Sequence, residues 1–274
     1  MYRLAYTTLA CPDWTWEQIL DRTAEYGYQG IELRGIEGEM DLTNARPFTA
    51  ANLAATQREL AERGLPVCCL DTSVRLHDLD TEKNLDEGRR HIELAAELHS
   101  PYIRVFGDKI PPDEPREKVI QRVVSGLMAL AHHAEGTGVQ VLIESHGDFS
   151  RSEDLAEVLE QAQHPQSGVL WDVHHPFRFH GEPVAQTYNR LRDRIRHTHL
   201  KDSRATAHGP RYCIVGQGDV PLDEVLRLLH DDGYNGWLSF EWEKKWHPEI
   251  EAPEVALPAY VTAIRGAEAR LEIA

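Results

Sequence analysis

The chain has 274 residues, 41% of them apolar and 27% charged, with a formal net charge of −16. That composition is expected of a soluble globular protein with room for a large core; no apolar run reaches transmembrane length, so no membrane partner is expected. A surface this acidic repels phosphate backbones, so nucleic acid is not an expected partner.

Short apolar or β-branched runs predict strands at 2–8, 30–34, 66–71, 101–106, 139–144, 168–172, 195–200 and 236–241. Helical patterns lie between them, at 14–27, 48–63, 82–99, 115–136, 151–163, 182–194, 221–232 and 252–271. In the second helix, Leu53, Leu60 and Ala61 are expected to face inward and Gln57, Arg58, Glu59 and Glu62 to face water. Helices punctuated by Gly27, Gly64, Gly138 and Gly233 run straight into the next strand, which suits a left-handed helix stop. The sixth helix is the least clear, because HPFRFHGEP delays its start.

Strict alternation implies crossover helices and parallel strands. Eight such units predict an α/β fold, a (β/α)8 TIM barrel occupying residues 1–274 as one domain, with an open doubly wound sheet as the alternative. No linker or low-complexity tract divides the chain. Cys68 and Cys69 are neighbours on a strand and read as buried thiols rather than a disulfide framework. The opening MYRLAYTTLACPDW has no long apolar segment, so a cytoplasmic location is expected.

In a parallel barrel the groups that do chemistry sit at the carboxyl ends of the strands. Four consecutive strands end alike: VQVLIE at Glu144, SGVLWD at Asp172, RIRHTHL near His199 and GWLSFE at Glu241. A lone acid at a strand end is usually an N-cap or a solvated loop residue, and a lone histidine usually a hydrogen bonder. Four on successive strands, each after an apolar run, are a coherent set for one divalent cation. Three carboxylates and an imidazole suit Mn²⁺ best, with Mg²⁺, Co²⁺ or Zn²⁺ as alternatives. Without a cation the clustered carboxylates would repel one another.

Around this set, His146 keeps the side-chain parity of Glu144, and His175 could bind a substrate oxygen from the loop. Lys201 shares the parity of His199 but reads equally well as a surface charge. Arg211, in the loop before the seventh helix, could reach a sugar hydroxyl or an anion. His197 could point inward one pleat below His199, and Asp202 could hold either a histidine or its own loop. Glu32, Arg34 and Lys109 could line the pocket or be solvated; Trp14 and Trp16 could wall a sugar or staple the first helix. The lone Gly216-Gln217-Gly218 is too common a pattern to claim a phosphate site.

In order, GIELR, VLIESHGD, LWDVHHP, HTHLKD, GQGD and LSFEWE resemble the xylose-isomerase-like TIM barrels, most strongly from 139 to 243. The resemblance implies metal ligands at Glu144, Asp172, His199 and Glu241, and a substrate histidine at His175. It implies a metal-dependent isomerase or epimerase of a sugar or keto-sugar. Glu144 and Glu241 would exchange a proton alpha to a carbonyl through a metal-stabilised enediolate, while His146, His175, Arg211 and Lys201 bind substrate. A dehydratase or lyase of a keto-sugar or inosose is the alternative; a DNA-repair endonuclease and a non-catalytic sugar-binding barrel are weaker ones. The expected partner is a small-molecule carbohydrate, and a homo-oligomer is left open. Ser145 stands where many members have Asn, and Gln217 where many have Glu.

Overall fold

The structure is a computed structural model that describes residues 1–273. Eight parallel strands form one sheet: β1 (Arg3–Tyr6), β2 (Ile31–Leu33), β3 (Val67–Arg75), β4 (Tyr102–Phe106), β5 (Gln140–Glu144), β6 (Ser167–Asp172), β7 (Ile195–Leu200) and β10 (Trp237–Phe240). Their spatial order is β1-β10-β7-β6-β5-β4-β3-β2. A single parallel bridge between Thr7 and Glu32 brings the first and last strands together, so the barrel is nearly closed.

The intervening helices are α1 (Trp16–Glu25), α2 (Leu53–Arg63), α3 (Thr81–Glu97), α4 (Arg116–His133), α5 (Ser152–Gln161), α7 (Val184–Leu191), α8 (Leu222–Asp231) and α9 (Pro253–Leu271). Each lies within a few residues of the helix expected from periodicity. α1 begins in a capping box: Thr15 Oγ1 accepts from Gln18 N, and Gln18 Oε1 accepts from Thr15 N. All four punctuating glycines take positive φ, from 60° to 83°. The main apolar core lies between strands and helices. A separate cluster of Ala5, Cys68 and Trp237 fills the floor of the barrel interior, where Trp237 shares the inward parity of Ser239.

Two elements went unread in the sequence. HHPFRFH is a short helix, α6 (His174–His180), directly after β6. The loop after β7 is an antiparallel hairpin, β8 (Asp202–Thr206) with β9 (Gly209–Cys213). α2 also starts five residues later than expected, because Arg46–Phe48 forms a separate 3₁₀ turn. Ala61 is exposed and Thr56 is buried in its stead, so the inward stripe runs through Leu53, Thr56 and Leu60. The four cysteines are unpaired, and among the described residues no helix is long and apolar enough to cross a membrane.

Candidate active site

The last four barrel strands deliver their terminal polar side chains to one rim. Asp172 on β6 stands in register with His199 on β7; Ser239 on β10 is the next partner of His199, and Glu241 follows two residues later on the same face. Glu144 ends β5. One donor atom from each of Glu144, Asp172, His199 and Glu241 lies within 4.8 Å of the others, and all four side chains are buried. His199 Nδ1 sits 3.3 Å from Glu144 Oε1 and 3.3 Å from Glu241 Oε1.

This donor set fits a divalent cation. Glu144 Oε1 and the Nδ1 atom of His199 are buried without a hydrogen-bond partner, whereas Glu144 Oε2 is ion-paired with Arg104. Buried polar atoms are rarely left unpartnered, and these two lie 3.3 Å apart within the donor cluster. The mixture of carboxylates with one imidazole matches a hard or borderline ion.

Opposite strands hold the set in place. Glu32 on β2 is fully buried beneath it. Its Oε1 pairs with His199 Nε2 at 3.0 Å, its Oε2 with His197 Nε2 at 2.9 Å, and Ser239 Oγ donates to it as well. That leaves Nδ1 as the free nitrogen of His199, aimed at the donor cluster. Burial works against the Glu32 carboxylate charge, but His197 and His199 win and hold it well below the usual carboxylate range. On β4, Arg104 is buried with its Nε 3.0 Å from Glu144 Oε2 and 3.4 Å from Asp71 Oδ1 on β3. Its guanidinium stacks 3.9 Å over the Phe106 ring. Burial and the neighbouring Glu32 push the Asp71 carboxyl up to about 8.

Most of the sequence answers to a family description. The model described as Xylose isomerase-like TIM barrel matches residues 20–259. The chain belongs to that family. Among relatives of known activity, the fructoselysine 3-epimerase of Shigella flexneri is 25% identical over 164 residues, 58% of each chain. The inosose dehydratase of Geobacillus thermodenitrificans is 29% identical over 150 residues, 49% of this chain and 46% of that one. The chain thus aligns with about half the length of these relatives. The solved structure of the 3-keto-D-glucoside 4-epimerase of E. coli superposes with a TM-score of 0.77 over 98% of this chain and 100% of that one, at 19% identity. At that identity the likeness speaks for the fold.

Within this xylose isomerase-like barrel the other expected site residues fare differently. Lys201, left open as a surface charge, is buried in the cluster. Its Nζ donates to Asp172 Oδ2 at 2.8 Å and to Glu241, and lies 2.7 Å from Glu243 Oε1. Burial disfavours its ammonium, yet Asp172 and Glu241 hold its pKa well above the ordinary lysine value. Glu241 is in turn held well below its ordinary value against burial, by Lys201 first and then His199. Burial raises Asp172 to about 6 in spite of Lys201.

His175 packs over the cluster, with Nε2 3.5 Å from Asp172 Oδ2 and its ring 4.4 Å from that of His146. Burial and Lys201 keep His175 neutral, well below the usual imidazole value. His146 reaches Asp108 at 3.6 Å and is the most open of the group, its side chain 32% exposed.

Arg211 does not join them. It lies on β9 directly opposite Arg204, and both are exposed. The pleat turns Ser203 and Tyr212 inward: Ser203 Oγ meets His174 Nε2 at 2.7 Å, and Tyr212 Oη donates to Glu243 Oε1 at 3.2 Å. Arg211 therefore projects from the other face of the hairpin. Asp202 holds its own loop, accepting from Gly216 N, Gly218 N and Val220 N at 2.9, 2.8 and 3.2 Å. A Cβ on Gly218 would stand 2.0 Å from Asp202 Oδ1, so that glycine is required by the carboxylate and the loop is a clasp.

Arg34 is buried at the Glu32 side of the barrel and Lys109 is exposed. Trp14 and Trp16 are buried, Trp16 edge-on to Phe48 at 5.4 Å, which makes them packing residues. Sequence reasoning passed over Arg104, Asp71, Tyr212 and Glu243. Arg104 and Asp71 carried a signal, as charged residues inside strands otherwise made of apolar ones (YIRVF and VCCLD). Glu243 carried one too, the parity of Glu241 within LSFEWE, while Tyr212 carried none without the hairpin.

Proposed function

We propose that the chain, working as one barrel domain, is a divalent-metal-dependent isomerase or epimerase of a sugar or keto-sugar. The observation that carries this reading is the convergence of Glu144, Asp172, His199 and Glu241 at one buried point, with unpartnered oxygen and nitrogen atoms facing it. These four would hold the cation, Mn²⁺ in first place. When bound, it supplies positive charge where a substrate carbonyl oxygen becomes negative.

The chain's own residues then divide the proton work. Glu144 and Glu241 flank His199 Nδ1 at equal distance from different strands, so they can address opposite faces of one carbon. One carboxylate removes the proton alpha to the carbonyl, and the other carboxyl returns a proton to the opposite face. His175 and His146 stand over the cluster and orient hydroxyl groups. Burial keeps bulk water off the reacting carbon, while the carboxyl groups exchange their protons with solvent between turnovers, so the proton returned to carbon is solvent-derived. Epimerases and dehydratases of sugars among the relatives support the substrate class.

A lyase is the second reading, favoured by the inosose dehydratase match and by Lys201. Its ammonium, held among Asp172, Glu241 and Glu243, would in that reading protonate a departing β-hydroxyl. Incubation of the Mn²⁺-loaded protein with keto-sugars and an inosose in deuterium oxide, followed by mass spectrometry, separates the two. Uptake of one deuterium without mass loss is the expected result; loss of water selects the lyase. No deuterium uptake and no water loss across the panel would overturn both, as would failure of the protein to retain about one ion per chain.

A further inference from the structure

Among the described residues, three lysine or arginine side chains are buried: Arg34, Arg104 and Lys201. Two of them have their charge answered. Arg104 lies 3.0 Å from Glu144 and 3.4 Å from Asp71, and Lys201 is ringed by Asp172, Glu241 and Glu243. Arg34 has no carboxylate within ion-pair distance. Its Nη2 donates to Ser73 Oγ at 3.1 Å, and its Nη1 is buried with no partner at all. A buried charge left in that state is costly. Burial, and after it the Arg104 charge, lower the Arg34 pKa to about 10, so the group is still a cation at neutral pH.

The guanidinium stands at the mouth of the barrel. Arg34 follows Glu32 by two positions and so keeps its inward side, about 7 Å nearer the rim. There it feels the charges of Arg104, Asp71 and Glu144. Thr8 fixes the backbone beneath it, Oγ1 accepting from Arg34 N and donating to Gly35 O, both at 2.8 Å. Arg34 lines a niche of about 10 Å³ between the loops that follow β1, β2 and β10, which is room for about one water-sized group. Lys245 is a second cation on the wall, and it too has no acidic partner among the described residues. The acid on that wall, Glu37, is engaged by Arg46 and by Trp16 N.

A water or a neutral sugar hydroxyl in the niche would satisfy Nη1 but leave two cations uncompensated. A phosphate would bring charge, but its cluster of oxygens exceeds a space for about one. A carboxylate meets both needs. One oxygen fits beside Nη1, the other faces the open mouth, and the charge answers Arg34 and Lys245.

We infer that the substrate is a sugar acid, a keto-sugar whose terminal carboxylate is anchored by Arg34 with Lys245 beside it, while the carbonyl end lies at the donor cluster. Arg34 then determines specificity and carries no proton. This rests on the proposed reading of the rim as a sugar site, and it names the substrate class of that site.

The test uses the Mn²⁺-loaded full chain with D-fructuronate and D-tagaturonate, ketohexoses oxidised to a carboxylate at C6. The comparison compounds are D-fructose, D-tagatose, the methyl esters of both acids and D-fructose 6-phosphate. Deuterium exchange gives kcat and KM, and calorimetry gives Kd. At least one acid should bind about thirtyfold more tightly than its ketose and its ester. Arg34→Met should reduce that preference about tenfold, acting on KM rather than kcat, and Arg34→Lys should restore part of it. Lys245→Met should reduce it about threefold. Should Arg34→Met fail to fold, the other two variants carry the comparison, and an unchanged preference in both overturns the inference. Equal affinity for acid and ketose, a preference that survives Arg34→Met, or tightest binding of the phosphate also overturns it and leaves the rim chemistry standing. If no compound exchanges deuterium but an acid binds in an Arg34-dependent way, the niche stands and the rim reading falls. If none exchanges or binds, both fall.

Discussion

The two halves of the barrel use charge in opposite ways. From β5 to β10, the strands end in polar side chains aimed at a shared point, several with atoms left unpaired. From β2 to β4, the charged side chains sit inside strands, and they pair with the other half: Glu32 with His197 and His199, Arg104 with Glu144. One half presents the proposed ligands, and the other fixes their orientation and balances their charge. A barrel makes this division available because strands distant in sequence face each other across its interior. The residues that set the chemistry and those that hold them need not be neighbours along the chain.

The comparison breaks most sharply if the ligand half is altered. Glu144→Gln and Glu241→Gln keep the shape but remove a proposed proton carrier, and each should lower solvent deuterium exchange by about 10³-fold. A smaller effect in either variant takes that residue out of the proton-transfer role. In the supporting half the loss should appear first as stability. Arg104→Met leaves Glu144 without its guanidinium and should cost about 3 kcal/mol in urea denaturation, with no change in the denaturant slope. A variant as stable as the parent would show that Arg104 is dispensable to the charge balance.

The pH dependence of Asp71 sharpens the same point. Its folded value of about 8 lies above the ordinary 3.8, so the group binds its proton more tightly in the folded state. Its contribution to stability is complete below the ordinary value and is lost as pH rises through about 8. Asp71→Asn, which stays neutral, should therefore gain on the parent protein by about 3 kcal/mol between pH 6 and pH 9, read from chemical denaturation of the metal-free protein. A difference independent of pH would count against a protonated Asp71. The mildest effect belongs to Glu32→Gln. It weakens the hold on His199 without removing a ligand, and should raise the Mn²⁺ dissociation constant about tenfold by calorimetry. A variant that loses the ion altogether would place Glu32 among the ligands themselves.

Much of the molecule was legible in the residues alone. Apolar runs of strand length, separated by helix-period segments and stopped by glycine, sufficed for eight β/α units, because each of those signals is local. The four rim residues were legible for a related reason. Glu144, Asp172 and Glu241 follow apolar runs directly, His199 lies near the end of its strand, and the parallel topology forces all such ends to one side. Lys201 shows where local reasoning ran out. Its parity was readable, but whether an ammonium at that position meets water or three carboxylates depends on the strands beside it. Arg211 shows the converse. It looked like a loop residue free to reach the site, until pairing with β8 turned its side chain to the far face of a hairpin.

The order of the elements, the polar strand ends and their common rim follow from the sequence itself, because periodicity and chain direction are properties of short segments. Which charges meet was settled only by closure of the barrel. Glu32 reaches His199 across 167 positions of sequence, and Arg104 reaches Glu144 from the adjoining strand. Electrostatic pairing acts over a few ångströms of space, and only the folded chain sets those distances.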